Sequence, residues 1–111
     1  MVIIPLQAIP AQRLQVVLDG QNATMAFYWR WGRVYCDLSI DADKVCSGQV
    51  CLEKQPVPPY SSLYFTGKLM FVDMLGNEPP SWEGLGERWL LLYLSDGETL
   101  ESALAGAVAN A

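Results

Sequence analysis

Histidine does not occur anywhere in this chain of 111 residues. Its absence removes the side chain that most often serves as a general base near neutral pH and that most often ligates transition metals. Ser61, Ser62, Ser81 and Ser95 have no base beside them in sequence, so imidazole-activated nucleophilic catalysis is excluded. Positive charge is also sparse. Seven Lys and Arg residues, Arg13, Arg30, Arg33, Lys44, Lys54, Lys68 and Arg88, occur singly against a formal net charge of −5. A polyanion surface needs a concentrated basic patch, so nucleic acid is not an expected partner. No run is long and apolar enough to span a membrane, and no membrane contact is expected. The opening stretch MVIIPLQAIP is apolar but lacks a basic start and a small-residue cleavage site, and Pro5 and Pro10 break it. The expectation is a chain made in the cytoplasm. Cysteine is present in an odd number, three, which suits a reducing compartment better than a disulfide framework.

What is abundant is apolar surface. Apolar residues make up 51% and charged residues only 17%, which implies that a partner covers part of the surface. The length fits one domain. Period-two patterning runs through most of it. RLQVVLD (13–19) alternates Leu14, Val16 and Leu18 with polar residues, and Asp19-Gly20 then marks a tight hairpin. ATMAFYWRW (23–31) lines up Met25, Phe27, Trp29 and Trp31, and Gly32 provides the next turn. RVYCDLSI (33–40) sets Val34, Cys36, Leu38 and Ile40 on one face, as a half-buried antiparallel strand does. KVCSGQVCLE (44–53) reads as a strand with a bulge at Gly48. Three prolines in KQPVPPYSS (54–62) keep that loop from pairing as a strand. LYFTGKLMFVDML (63–75) returns to strand character, and RWLLLYLS (88–95) is apolar enough to be covered on both faces or to lie against a partner. The expected fold is all-β, a small antiparallel barrel or sandwich of six to seven strands over residues 1–95. Residues 1–12 read as an arm extending towards a neighbour, because two prolines leave few donors for a sheet. Residues 96–111 form a tail, helical over 99–109 or disordered.

Each candidate for chemistry has a plainer reading. Zinc would need Cys36, Cys46 and Cys51 together with a carboxylate, and Cys46 and Cys51 are five apart, on opposite faces of a regular strand. Three small buried thiols fit better, and no metal is expected. Asp37, Asp41 and Asp43 offer a carboxylate pair of the kind a glycosidase uses, but Asp41 and Asp43 bracket a turn, where Asp bonds the local backbone. No catalytic residue and no cofactor is expected. Trp29 and Trp31, two apart, read as core or interface more readily than as a ligand platform. Trp82 lies in the glycine- and proline-rich stretch GNEPPSWEGLGERW (76–89), where an aromatic suits a protein contact.

Two segments, IIPLQAIPAQRLQVVLDGQN (3–22) and FVDMLGNEPPSWEGLGERWLLLYL (71–94), resemble the phage baseplate plug family, small proteins of contractile-tailed bacteriophages. The resemblance rests on Ile4, Pro5, Leu6, Pro10 and Gln12, on Leu18, Gly20 and Gln21, and on Asp73, Gly76, Gly84, Leu85, Gly86, Leu91 and Tyr93. It covers residues 2–95, and the tail beyond Ser95 matches nothing. It implies a non-enzymatic structural part of the tail baseplate in the virion, closing or lining the end of the tail tube near the central hub and the tape-measure protein. It further implies a homo-oligomer, trimer or hexamer, by tail symmetry. Under it, the protein-contact residues are Ile4, Pro5, Leu6, Pro10, Gln12, Gly76, Pro80, Trp82, Gly84, Leu85 and Gly86. The competing reading is a small monomeric β-barrel module that binds a sugar or peptide.

Overall fold

The computed structural model describes residues 2–58, 65 and 67–95. Among these residues the strands are β1 (Val2–Ile4), β2 (Ala11–Leu18), β3 (Gln21–Arg30), β4 (Arg33–Ile40), β5 (Asp43–Cys51), β6 (Pro56–Val57), β7 (Lys68–Asp73) and β8 (Trp89–Leu94). They form two antiparallel four-stranded sheets, ordered β1-β8-β7-β6 and β2-β3-β4-β5. The expected all-β fold is thus realised as a small sandwich.

The second sheet is a meander of two-residue hairpins. Leu18 pairs with Gln21 across Asp19-Gly20, Arg30 with Arg33 across Trp31-Gly32, and Ile40 with Asp43 across Asp41-Ala42. In the first two turns both central residues have positive φ: 49° and 77° for Asp19-Gly20, 50° and 72° for Trp31-Gly32. Such turns match the right-handed twist of the strands they join. Trp31 therefore belongs to a turn, not to the apolar stripe of β3. Met25 and Phe27 are buried and Trp29 is half-buried, whereas Trp31 is 81% exposed. The stripe in β4 is as expected, with Val34, Cys36, Leu38 and Ile40 all buried.

In β5 the register slips at the glycine. Cys36 opposes Gln49 but Leu38 opposes Cys46, so Asp37 faces a bulge at Ser47 and Gly48, where Gly48 has a φ of 63°. Asp37 holds that bulge from outside: its Oδ1 accepts from the Gly48 N–H at 2.7 Å and from the Tyr28 hydroxyl at 3.1 Å. The extra residue turns Cys46 and Cys51 to the same side, and both thiols lie buried with Cys36. The bond to Cys36, together with burial, pushes the Cys46 thiol far up. At Cys36 the bond to Cys46 lowers the value, but Cys51 and burial outweigh it, and that thiol is raised too. Asp41, at φ 55°, accepts from the Asn22 N–H at 3.3 Å, in keeping with a turn role.

The first sheet corrects two expectations. Residues 2–4 do not extend away as an arm: Val2 pairs with Tyr93, Ile3 with Leu92 and Ile4 with Leu91. Pro5 directly follows this short strand and Pro10 directly precedes β2, so the missing donors fall outside both ladders. Likewise Pro56 and Val57 pair with Met70 and Leu69. β6 is the outer strand there, and proline is tolerated at the start of such an edge. β8 runs between β1 and β7, and its apolar run is covered on both faces: Leu91 and Tyr93 join the core, and Leu92 and Leu94 are buried as well. The core lies between the sheets, where Phe27 meets Phe71 edge-on at 5.6 Å. The Tyr93 hydroxyl donates to the Asp19 carboxylate, tying the first hairpin to the opposite sheet. The expected helix over 99–109, with the tail 96–111 and most of 59–66, lies outside the described residues.

Gly67 is pressed against the Tyr93 ring, and a Cβ there would overlap the phenol oxygen. Tyr93 is fully buried and has no room to retreat. Gly67→Ala is therefore expected to destabilise the chain by about 1–3 kcal/mol, read as a lower urea midpoint. An unchanged midpoint would show that the ring yields freely.

Candidate functional site: the 74–88 loop and the segment before β2

Asp73 ends β7 and Arg88 immediately precedes β8, so the loop between them is closed by a pair of side chains at its two feet. Arg88 donates from Nε to Asp73 Oδ1 at 2.8 Å and from Nη2 to Oδ2 at 2.9 Å. The same carboxylate accepts from the N–H of Leu75 at 2.9 Å and of Glu78 at 3.0 Å, which turns the chain as it leaves the strand. The Asp73 N–H donates to Glu53 Oε2 at 3.0 Å, and the Met74 N–H to the Arg88 carbonyl at 2.8 Å. Arg88 also lies 4.4 Å from the centre of the Trp89 ring. Asp73 is enclosed by its own chain, and the Arg88 guanidinium holds its carboxyl well below the usual carboxylate range. Asp73 in turn raises Arg88. A bidentate pair of this kind fixes orientation as well as charge.

The loop packs itself onto the end of the sandwich. Pro80 and Leu85 are buried, and Trp82, in a single 3-10 turn (Trp82–Gly84), is half-buried against the core. The Trp89 indole N–H donates to the Glu78 carbonyl at 3.0 Å. Gly84 lies against the Trp89 ring. Gly86, at φ 82°, is where the N-terminal segment crosses: a Cβ there would strike the carbonyl oxygen of Leu6. Glycine is required on both counts. Beyond the crossing, the Gln12 side chain behaves as a short strand for the Gln7 backbone. It accepts from the Gln7 N–H at 3.0 Å and donates to the Gln7 carbonyl at 2.7 Å. The Pro10 carbonyl accepts from the Trp29 N–H at 2.8 Å, so the segment enters β2 already paired.

The structure thus brings the two ends of the expected contact set together. Ile4, Pro80 and Leu85 are enclosed by their own chain. Leu6, Gln12, Trp82 and Gly84 are half-buried, and Pro5, Pro10, Gly76 and Gly86 are exposed. The exposed apolar part of the loop is its start, Met74 at 58% and Leu75 at 78%, which the sequence reading left inside a strand ending at residue 75. The signal that could have found them is Asp73, whose carboxylate is placed to end a strand and start a turn.

No chemistry of another kind gathers here. Among the described residues no three His, Cys, Asp or Glu side chains are placed to hold a metal ion, and none of their helices is long and apolar enough to cross a membrane. The outer face of the second sheet carries an open depression of about 210 Å³ lined by Arg13, Thr24, Ala26, Asp37, Ser39 and Lys44. Its carboxylate is the one already engaged by the β5 bulge. The model of the family described as cyanophage baseplate Pam3 plug gp18 matches residues 1–96. No curated protein matches the chain.

The acid dependence of stability follows from Asp73. Its folded pKa is depressed, so its contribution is complete above the unfolded value, near pH 4, and is lost as pH falls through the lower folded value. Urea midpoints measured from pH 6 down to pH 2 are expected to drop steeply below pH 4 in the wild type. Asp73→Asn should start lower and show a shallower acid slope; equal slopes would remove Asp73 as the group responsible.

Proposed function

Since the chain belongs to this cyanophage baseplate plug family, we propose that it is a structural, non-enzymatic part of a phage tail baseplate. In this reading it sits in the virion near the tail axis, closing or lining the end of the tail tube between the hub and the tape-measure protein. It is present there in several copies, as a trimer or hexamer, after assembly in the host cytoplasm. The single observation that carries the reading is the family match, which spans the whole β domain. The geometry is of the kind such a part needs: a loop braced at its feet by Asp73 and Arg88 that exposes Met74 and Leu75 beside that brace. A loop that is already ordered loses little freedom on docking.

Electron cryo-microscopy of intact tails tests this directly. Symmetric density for the chain on the baseplate axis supports the plug reading; absence from the particle overturns it and leaves a monomeric sugar- or peptide-binding module as the reading in force. Leu75→Asp is expected to fold normally, because the residue is exposed, yet to lower the copy number in purified particles by roughly tenfold or more, as loss of an interface anchor does. Normal incorporation would move the contact surface away from Met74 and Leu75.

A further inference from the structure

The β3–β4 hairpin tip, Arg30-Trp31-Gly32-Arg33, carries three features that destabilise the isolated chain. Trp31 holds a φ of 50°, a left-handed conformation that bulky residues avoid and that Asn, Asp or Gly adopt readily. Its indole, the largest apolar side chain available, is 81% exposed. Arg30 and Arg33 are register partners, and like charges directly opposite one another repel. Neither arginine forms an ion pair among the described residues: Arg33 spends one donor on the carbonyl of Gly32 at 2.9 Å. The neighbouring hairpins of the same sheet place Asp19 and Asp41, a residue type that tolerates it, in the left-handed conformation and carry no aromatic at the turn. Strain, exposed aromatic surface and unpaired charge concentrated in four residues point outward, to something the tip meets.

The tip is also already arranged. Arg30 lies 5.4 Å from the ring centres of both Tyr28 and Trp31. Trp31 stands edge-on to Tyr35 at 5.9 Å, and Tyr35 stacks with Tyr28 at 5.9 Å. The Tyr28 hydroxyl is anchored on Asp37. Trp, Tyr and Arg, held rigid and partly desolvated by one another, are the residue types that dominate binding energy at protein contacts.

We propose that this tip docks into an acidic protein surface, with Trp31 entering an apolar pocket and Arg30 and Arg33 meeting carboxylates at its rim. The charge argument selects the occupant. Two arginines in a chain of net charge −5 are too few to hold a polyanion such as DNA, but they match a pair of carboxylates. The proposal does not rest on the baseplate reading, since the partner is defined by its surface chemistry alone.

The test places the photoreactive amino acid p-benzoylphenylalanine at position 31 of the full chain, in cells producing the complete set of phage proteins. The adduct is then mapped by mass spectrometry. The expected product is a cross-link to a peptide of another protein in which Asp or Glu flank apolar residues, with adduct yield falling roughly tenfold in Arg30→Glu/Arg33→Glu. A cross-link to nucleic acid, to a second copy of this chain or to nothing overturns the proposal. Trp31→Asn separates docking from folding: it is expected to melt at a higher temperature than wild type while retaining about a tenth or less of the same partner on co-purification. A lower melting temperature would make Trp31 a residue of the fold and overturn the proposal. A partner of the expected chemistry that is absent from the tail would uphold it while overturning the baseplate role.

Discussion

The Asp73 carboxylate accepts four hydrogen bonds, two from Arg88 and two from the backbone it turns, and one end of the sandwich takes its shape from them. Without that anion, β7 and β8 would be joined by an unbraced connection of fifteen residues, 74–88. With it, the loop is held closely enough for Pro80, Trp82 and Leu85 to cap the core, and for Gly86 to lie under the backbone of Leu6. That crossing leads the chain from the first sheet to the second. The two sheets thus share a core, a tyrosine–aspartate bond at Asp19 and this stacked passage of backbone on backbone. An enclosed charge is a weak source of net stability but a strong source of defined geometry when all its acceptor sites are filled.

The division between inside and outside has functional weight. The glycines and prolines of the 76–88 stretch mostly serve close packing within the chain, and the side chains free to meet another molecule include Met74 and Leu75 on the loop, Val2 and Ile3 along the edge, and Trp31 on the hairpin tip. These exposed apolar residues lie on separate elements, β1, the 74–88 loop and the β3–β4 turn. A small part built into a larger assembly of the kind its family describes needs such separate contacts, whereas a ligand-binding module needs one concave site with free polar groups converging in it.

Much of the second sheet is legible in the sequence because its determinants are local. Alternation in 33–40, the Asp19-Gly20 pair and the lone Gly48 in a strand each announce structure within a few residues. The first sheet is less legible because its determinants are not. Val2–Ile4 pairs with a strand almost ninety residues away, and nothing in those three residues names the partner. Asp73 and Arg88 carry no mark of each other. Trp31 continued an apolar alternation that the turn had already ended, so periodicity placed it inward where backbone conformation placed it outward. The candidate site is less legible for a related reason: an aromatic among glycines and prolines has the same composition whether the loop folds onto its own core or onto a neighbour. Only the carboxylate at one foot and the guanidinium at the other decide between them.

The bulge at Gly48 has a bearing on durability. By turning Cys46 to the side of Cys36 and Cys51, it collects every sulfhydryl of the chain in the one region that water and dissolved oxidants do not reach. Oxidation starts from the thiolate, and the Cys36 and Cys46 thiols are both pushed towards the protonated form. A chain built this way shields its thiols when its surroundings turn from reducing to aerobic.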